Sequence, residues 1–495
     1  MQLYREKALA ISLGLFLCLS FHRGGNTLDL IPVIGLWSLV PLALAGWGLW
    51  QRRSDWVINP ASGALLAALL LLTLHGAIGL LPLSFDHWSA FPGRSAYADV
   101  LAAISPYMSS PSISLSMDAP GSMRALWVAL AALTVALGVT SLSRRTLRWL
   151  LLAVVALAIL QALIGLLQLA LARPSFLVFG GQTGGRYATG AFINRNHFAT
   201  LLAMALPILI FRVAGRFHFR VSSRRRSMVE KLWWGFATAL VATALLASLS
   251  RAGTAAGFAV SALAAFLCAT SERTWARRLL FLGVVVIAVG LASVSNLAEL
   301  VGKFQGIEFN ESWAVRKLIA STTVSAALGL FPFGAGLGSY GIAFARFQPE
   351  QITGFYEHAH NDYSQLIFET GAVGLVALLL IALGAILTAL TLYFHQTASR
   401  RDTDAPAIAA FLGSLAFAIH SFFDFPAHIP ATALVAVMLF SVAAHRELAA
   451  TPAWSYLWAV LVKKRSFALP ARKKSRRKSG QAHARSGGET VTPPG

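Results

Sequence analysis

The segment His358-Ala359-His360-Asn361-Asp362-Tyr363 gathers two imidazoles, an amide, a carboxylate and a phenol at the foot of a long apolar run. Polar groups beside hydrocarbon are costly unless they find partners or do chemistry. Histidine titrates near neutral pH without help, so a neutral imidazole here can act as a general base. Hydrogen bonding at a helix start, with Asn361 or Asp362 capping the next span, is the competing structural explanation, and for His358 it is the preferred one. A zinc site on His358, His360 and Asp362 lacks a further clustered ligand, so no metal or other cofactor is expected.

Three arginines add to this cluster. Arg251 sits in Leu249-Ser250-Arg251-Ala252-Gly253, between two apolar runs with almost no loop around it. At mid-bilayer such a charge costs about 2.5–3.5 kcal/mol on insertion scales, and less near the interface, where snorkelling relieves it. Arg316 lies in Glu311 to Leu330, whose spacing predicts an amphipathic surface helix with Val315, Leu318, Ile319 and Thr322 along one stripe. Arg186 follows Gly184-Gly185 in a loop. Each has an ordinary explanation as a solvated or headgroup charge, but on one membrane face together they form a site for a polyanion. The turn Gly336-x-Gly338-x-x-Gly341 follows a helix rather than a strand, which excludes a dinucleotide fingerprint. A flexible turn is its expected use, although its amides could contact phosphate. Gly180 to Gly190 lacks the Gly-Lys-Ser/Thr ending of a P-loop, so ATP hydrolysis has no support.

The elements that must position these residues are membrane spans. Of the 495 residues 56% are hydrophobic and only 12% charged, against about 25% charged in soluble domains. Roughly 20 apolar residues make one span. Runs of that length begin near Ala8, Leu28, Ala61, Ala125, Trp149, Phe198, Leu232, Gly253, Leu279, Gln365, Ala407 and Thr432. The expected fold is therefore all-α and polytopic, with about twelve transmembrane helices. It divides into helices 1–9 over 1–295, a long loop with amphipathic helices over 296–364, helices 10–12 over 365–448, and a basic tail over 449–495. The two cysteines, Cys18 and Cys268, lie in apolar runs and offer no disulfide framework.

Net charge is +21. With the N-terminus in the cytoplasm, 30 of the 41 Lys and Arg fall inside and 11 outside, as the positive-inside rule requires. Both termini are then cytoplasmic, and 82–123, 173–197, the turn at Ser250-Arg251 and 296–364 share the outer face. The basic tail, with Lys463 to Lys478, reads as a topogenic segment that binds anionic lipid. Nucleic acid is not expected, because no binding fold accompanies the charge.

The chain resembles the O-antigen ligase and polymerase superfamily of bacterial inner-membrane glycosyltransferases. The ligase motif reads His-Asn/Ser/Gln, nine residues, then Gly-x-x-Gly; here His360-Asn361 is followed by nine residues and Gly371-Ala372-Val373-Gly374. Gly190 to Phe198, Leu249 to Gly253, and Arg316 ahead of Pro332-x-Gly334-x-Gly336 look like the family too. The resemblance spans about Arg186 to Gly374. It implies a metal-independent enzyme of the GT-C type, working at the periplasmic face on a glycan carried by undecaprenyl pyrophosphate. It implies His360 as the catalytic histidine and Arg251 and Arg316 as functional arginines, with Arg186 carried over from a looser region. Asn361, Asp362 and His358 would support them, Asp362 by orienting the imidazole.

Three acceptors compete within that reading: the lipid A core, another lipid-linked glycan, or a protein hydroxyl. Polysaccharide ligation or polymerisation is preferred, because no protein-glycosylation signature is evident. A secondary transporter or lipid-linked glycan flippase is a different class. It would show inverted repeats and ionisable residues at mid-membrane, whereas here no repeat is convincing and charges crowd the span ends.

Overall fold

In the computed structural model, the described residues are 2–21, 30–51, 58–104, 112–173, 187–216, 224–269, 307–352, 354–399 and 404–445. They form an all-α polytopic membrane protein. The long helices are α1 (Gln2–Ser20), α2 (Leu30–Gln51), α3 (Pro60–Gly79), α6 (Ala119–Thr140), α7 (Arg144–Ala170), α8 (Arg195–Val213), α9 (Arg224–Ala247), α10 (Arg251–Ala269), α11 (Ile307–Leu330) and α13 (Asp362–Ser399). Eight of these are long and apolar enough to cross a membrane. Two more apolar helices, α14 (Ala405–His420) and α15 (Pro430–Ala443), have 16 and 14 residues. At 1.5 Å per residue they rise about 24 and 21 Å, short of the roughly 30 Å hydrocarbon thickness. The turn joining them buries Ser421 and Asp424 but leaves Phe422 and Phe423 exposed.

Except at Leu28, the sequence-predicted starts fall a few residues inside the observed helices, and three of these helices are capped upstream by polar side chains. Asn59 Oδ1 accepts from Ala61 N before α3, Asp118 Oδ1 from Gly121 N before α6, and Asn194 Oδ1 from Asn196 N before α8. Pro60, Pro406 and Pro430 stand in the first turns of their helices, where a missing N–H is harmless. The first predicted span is a helix, but its start carries Arg5, Glu6 and Lys7, and it is not among the eight. The span near Leu279 and the basic tail lie outside the described residues.

Helix α8 is the hub. It is buried from His197 to Val213 on every side, as expected for a helix that is apolar all round. It is enclosed by α7, α9, α10, α14 and α15. Beside it α2 and α3 pack on α6, and α13 packs on α3. Large apolar side chains on α2, α7 and α13, such as Trp47, Leu160 and Leu379, remain exposed around the bundle, which in water would be a liability and in lipid is the solvated face.

At one end, a two-stranded antiparallel ribbon pairs β1 (Pro82–Ser84) with β2 (Ser112–Ser114), beside short α4 (Phe85–Ser89) and α5 (Ser95–Ile104). Met117 N donates to Ala335 O, tying this segment to the glycine-rich turn. That turn then docks on α13: Ala335 N donates to Phe368 O, Gly336 N to Glu369 O, and Gly338 N to the Glu369 carboxylate. These amides are spent on the fold, which removes the phosphate contact considered from sequence. The buried stripe of α11 runs through Ile319, Thr323, Ala326, Ala327 and Leu330, while Leu318 is 36% exposed. It is rotated from the predicted stripe because Tyr340 of α12 (Tyr340–Phe344) and its Thr323 hydrogen bond draw that face inward.

Gly371 explains the glycine end of the His-Asn motif. It interrupts α13 with φ 56° and ψ −127°, and a Cβ there would overlap the Pro332 carbonyl oxygen. Ala372 N donates to that same oxygen at 2.9 Å. Gly371→Ala is therefore expected to destabilise the protein by more than about 2 kcal/mol, through strain at a left-handed position plus the steric overlap. Gly235→Ala, on α9 with open space around it, is the control. Thermal unfolding in detergent should show a drop of several degrees for the first and little change for the second; equal melting would remove this account of the motif.

Candidate active site

The site is assembled where α13 begins, α14 ends and α15 begins. His360 lies in the turn before α13 with φ 50°, a left-handed conformation that costs a non-glycine residue about 1–3 kcal/mol. Its neighbours hold it there. Ala359 N donates to Gln365 Oε1 at 3.0 Å, and Asp362 N donates to Ser421 O at 2.9 Å. Asn361 is the cap of α13, its Oδ1 accepting from Tyr363 N and Ser364 N, while its amide donates to Phe422 O.

The imidazole of His360 meets Asp424, a residue the sequence reading passed over. Nδ1 lies 3.1 Å from Asp424 Oδ1, and the carboxylate is fully buried while the imidazole is 21% exposed. Burial alone would raise the Asp424 pKa. The His360 hydrogen bond and the nearby His197, Arg316 and His420 outweigh it and hold the carboxyl below its ordinary range. An ionised carboxylate only accepts, so His360 Nδ1 carries a hydrogen, and the neutral tautomer this selects has its lone pair on Nε2.

Asp362 goes elsewhere. Its Oδ1 accepts from His428 Nδ1 at 2.8 Å and its Oδ2 from Ala427 N at 3.0 Å. Asp424, not Asp362, orients the His360 imidazole, and Asp362 clamps the turn that carries Asp424. His358 stacks on Phe425 with centroids 4.1 Å apart, and its Nδ1 accepts from Gln365 Nε2 at 3.3 Å. Burial, with smaller contributions from neighbouring imidazoles, pushes its pKa far down and keeps it neutral. The trio considered for zinc thus disperses onto three different partners, and the described residues hold no metal-type cluster of three or more His, Cys, Asp or Glu.

Of the arginines, Arg316 donates through Nη1 to Phe423 O at 2.6 Å, one residue from Asp424. Arg251 is partly buried as the first residue of α10, directly after Leu249 with φ 53° and Ser250. That helix start is pressed against the site: a Cβ on Gly253 would lie 2.6 Å from Ala199 Cβ and 3.2 Å from His420 Cε1. His420 in turn contacts Thr200 Oγ1 through Nδ1 at 2.7 Å and precedes Asp424 by four residues. The fold therefore brings the Arg251 end of α10, Arg316 and His360 to the Asp424 turn. Arg186 lies outside the described residues.

His197 was also missed, although its segment was noted. It reaches the edge of Phe425 from α8, with centroids 4.9 Å apart. The signal for Asp424 was present in His420-Ser421-Phe422-Phe423-Asp424-Phe425-Pro426-Ala427-His428: three ionisable residues in a short stretch between two apolar runs.

The His428–Asp362 pair generates a pH test. Burial opposes protonation of His428, but the Asp362 hydrogen bond and the Asp362 and Glu369 charges outweigh it, raising the pKa above its usual 6.5. A raised folded-state pKa gives stability that is complete below the unfolded value and is lost as pH climbs through the folded one. The melting-temperature gap between the native chain and Asp362→Asn should accordingly be widest at and below about pH 6 and shrink as pH climbs through the raised value of His428. A gap independent of pH would show that the pair is not ionic.

Residues 236–379 match a family model described as O-antigen ligase. No curated protein matches the chain. The matched segment contains Arg251, Arg316, His360, Gly371 and Gly374, and this match supports membership of the O-antigen ligase and polymerase superfamily.

Proposed function

We propose that this protein transfers a glycan from an undecaprenyl-pyrophosphate carrier to an acceptor hydroxyl on the periplasmic side of the bacterial inner membrane. The observation that carries the reading is the hydrogen bond from His360 Nδ1 to the fully buried Asp424, with Arg316 bonded to the adjacent carbonyl. His360 Nε2 takes the proton from the acceptor hydroxyl as its oxygen attacks the anomeric carbon. The glycosidic C–O bond to the carrier breaks, and its electron pair leaves on the pyrophosphate. Direct displacement inverts the anomeric configuration.

Negative charge grows on a phosphate oxygen as that bond breaks. Arginine suits it because the guanidinium stays charged and its fork matches phosphate oxygens. Arg316 and Arg251 take this role, with Arg186 joining them on the strength of the family resemblance. A well-placed preorganised donor contributes on the order of 3 kcal/mol to such a transition state. The proton gained by His360 is stabilised by Asp424, as the buried carboxylate of a serine-protease triad stabilises its imidazolium. The positive-inside distribution of Lys and Arg supports the periplasmic placement.

The test is transfer in proteoliposomes supplied with a polyprenyl-pyrophosphate-linked glycan. His360→Ala should lose at least about 100-fold in rate. Asp424→Asn should lose a comparable factor, because an amide donating to Nδ1 moves the hydrogen to Nε2 and removes the base. Arg316→Gln should lose about 100- to 1,000-fold. Wild-type transfer by His360→Ala would end the general-base assignment. The product identifies the acceptor: glycan elongated on the carrier marks a polymerase, glycan joined to lipid A core a ligase, and glycosylated protein an oligosaccharyltransferase.

A further inference from the structure

The segment between α3 and α6 holds a buried cation, far along the chain from the residues above. Arg94 is only 2% exposed, as is Trp88. The guanidinium carbon lies 4.8 Å from the Trp88 ring and 5.1 Å from the Phe91 ring. Arg94 Nε and Nη1 and Trp88 Nε1 are all buried without a hydrogen-bond partner. Asp86, in the same short helix as Trp88, is exposed and forms no ion pair with Arg94 among the described residues. Burial alone pushes the Arg94 pKa down to about 10, with no carboxylate opposing it.

Such an arrangement is unfavourable as it stands. Buried polar groups are nearly always bonded, and buried charges are nearly always paired. Three unpaired groups of one kind narrow what would satisfy them. Guanidinium and indole nitrogens only donate, so the missing partner is rich in acceptors and negatively charged. The pair lies just below the surface, since the four-residue turn Ala90 to Gly93 is partly or fully exposed. That turn is rigidly backed: a Cβ on Gly93 would lie 2.8 Å from Leu330 Cδ2 and 2.9 Å from Gly329 O at the end of α11. Phe91 packs edge-on against Phe333, with centroids 4.7 Å apart. Around it Leu328, Phe331 and Phe333 are exposed, an apolar setting of the kind found where lipid headgroups meet protein.

We propose that Arg94 and Trp88 form a second anion site, which binds a phosphate group through the guanidinium and the indole N–H. The phosphate belongs either to a lipid headgroup or to a soluble phosphoryl compound, and the two sources are separable. The site is independent of the His360 chemistry, and its failure would leave that reading untouched.

The full-length chain in neutral detergent is titrated in one arm with inorganic phosphate, in chloride-matched buffer, and in the other with phosphatidylglycerol in mixed micelles. Saturable stabilisation in thermal unfolding is expected in at least one arm; phosphatidylglycerol alone identifies a headgroup, and inorganic phosphate identifies a soluble ligand. Arg94→Met should abolish the response. It should also melt no lower than the native chain without anion, because it removes an uncompensated buried charge. Trp88→Phe keeps a ring beneath the guanidinium but loses one donor, and should weaken apparent affinity about tenfold. Two results would overturn the proposal: a native chain that responds to neither probe, or Arg94→Met responding as the native chain does.

Discussion

A carboxylate with no solvent exposure is the constraint around which this end of the bundle is organised. Burying an ion that could have stayed in water costs several kcal/mol even after relaxation, so Asp424 is tolerated only because its surroundings carry compensating hydrogen and charge. His360 supplies a direct hydrogen bond, and Arg316 lies on the neighbouring carbonyl. Removing any of these does more than lose a contact, since it leaves a charge stranded in a dry site. The geometry that makes His360 a base is thereby also the geometry that makes Asp424 affordable, and stability and chemistry are coupled through one turn.

That turn is held by the helix it serves. Asp362 opens α13 and receives two hydrogens from 427–428, while its own N–H goes to Ser421 O. The 421–429 connection is thus pinned at both ends by a single residue adjacent to the His360 turn. Strain at His360 and at Leu249, both in left-handed conformations, is sustained because the flanking backbone is hydrogen-bonded on either side. Lower down α13, Gly371 lets the glycine turn close against the helix, and Ala335 of that turn anchors the segment around Met117. One helix start therefore organises the site, and one break in the same helix organises the neighbouring surface.

The sequence disclosed most of this unevenly, for physical reasons. Spans were legible because lipid demands long uninterrupted apolar runs, and polar residues before α3, α6 and α8 extend those helices a few residues beyond the apolar run. His360 stood out because five polar groups were adjacent in sequence. Asp424 met the same criterion in weaker form, with its histidines four residues away on each side, and its importance depends on pairing across 64 positions. Asp362 was legible as a participant but not as a partner, since nothing local distinguishes an imidazole two residues back from one 66 residues ahead. The α11 stripe kept Val315 and Ile319 but was turned slightly past its true centre, because Thr323, polar in sequence, is buried on Tyr340.

Arg316, partly exposed, and Arg94, buried, show two ways in which this fold answers a guanidinium. Both are guanidiniums in segments rich in apolar and aromatic residues, and only Arg316 carries a motif that singles it out in the sequence. Their surroundings separate them further. Arg316 has a carbonyl at 2.6 Å and a buried carboxylate beside it, so its field is already partly answered by the protein, and only additional charge formed during reaction would call on it further. Arg94 has aromatic faces and two unanswered nitrogens. Cation–π contact offsets part of its desolvation, but an aromatic face accepts no strong hydrogen bond, so the donors stay unsatisfied. A site that stabilises transient charge is best built with its own balance nearly closed. A site that retains a standing anion is best built with that balance open, and the two arginines differ in that respect.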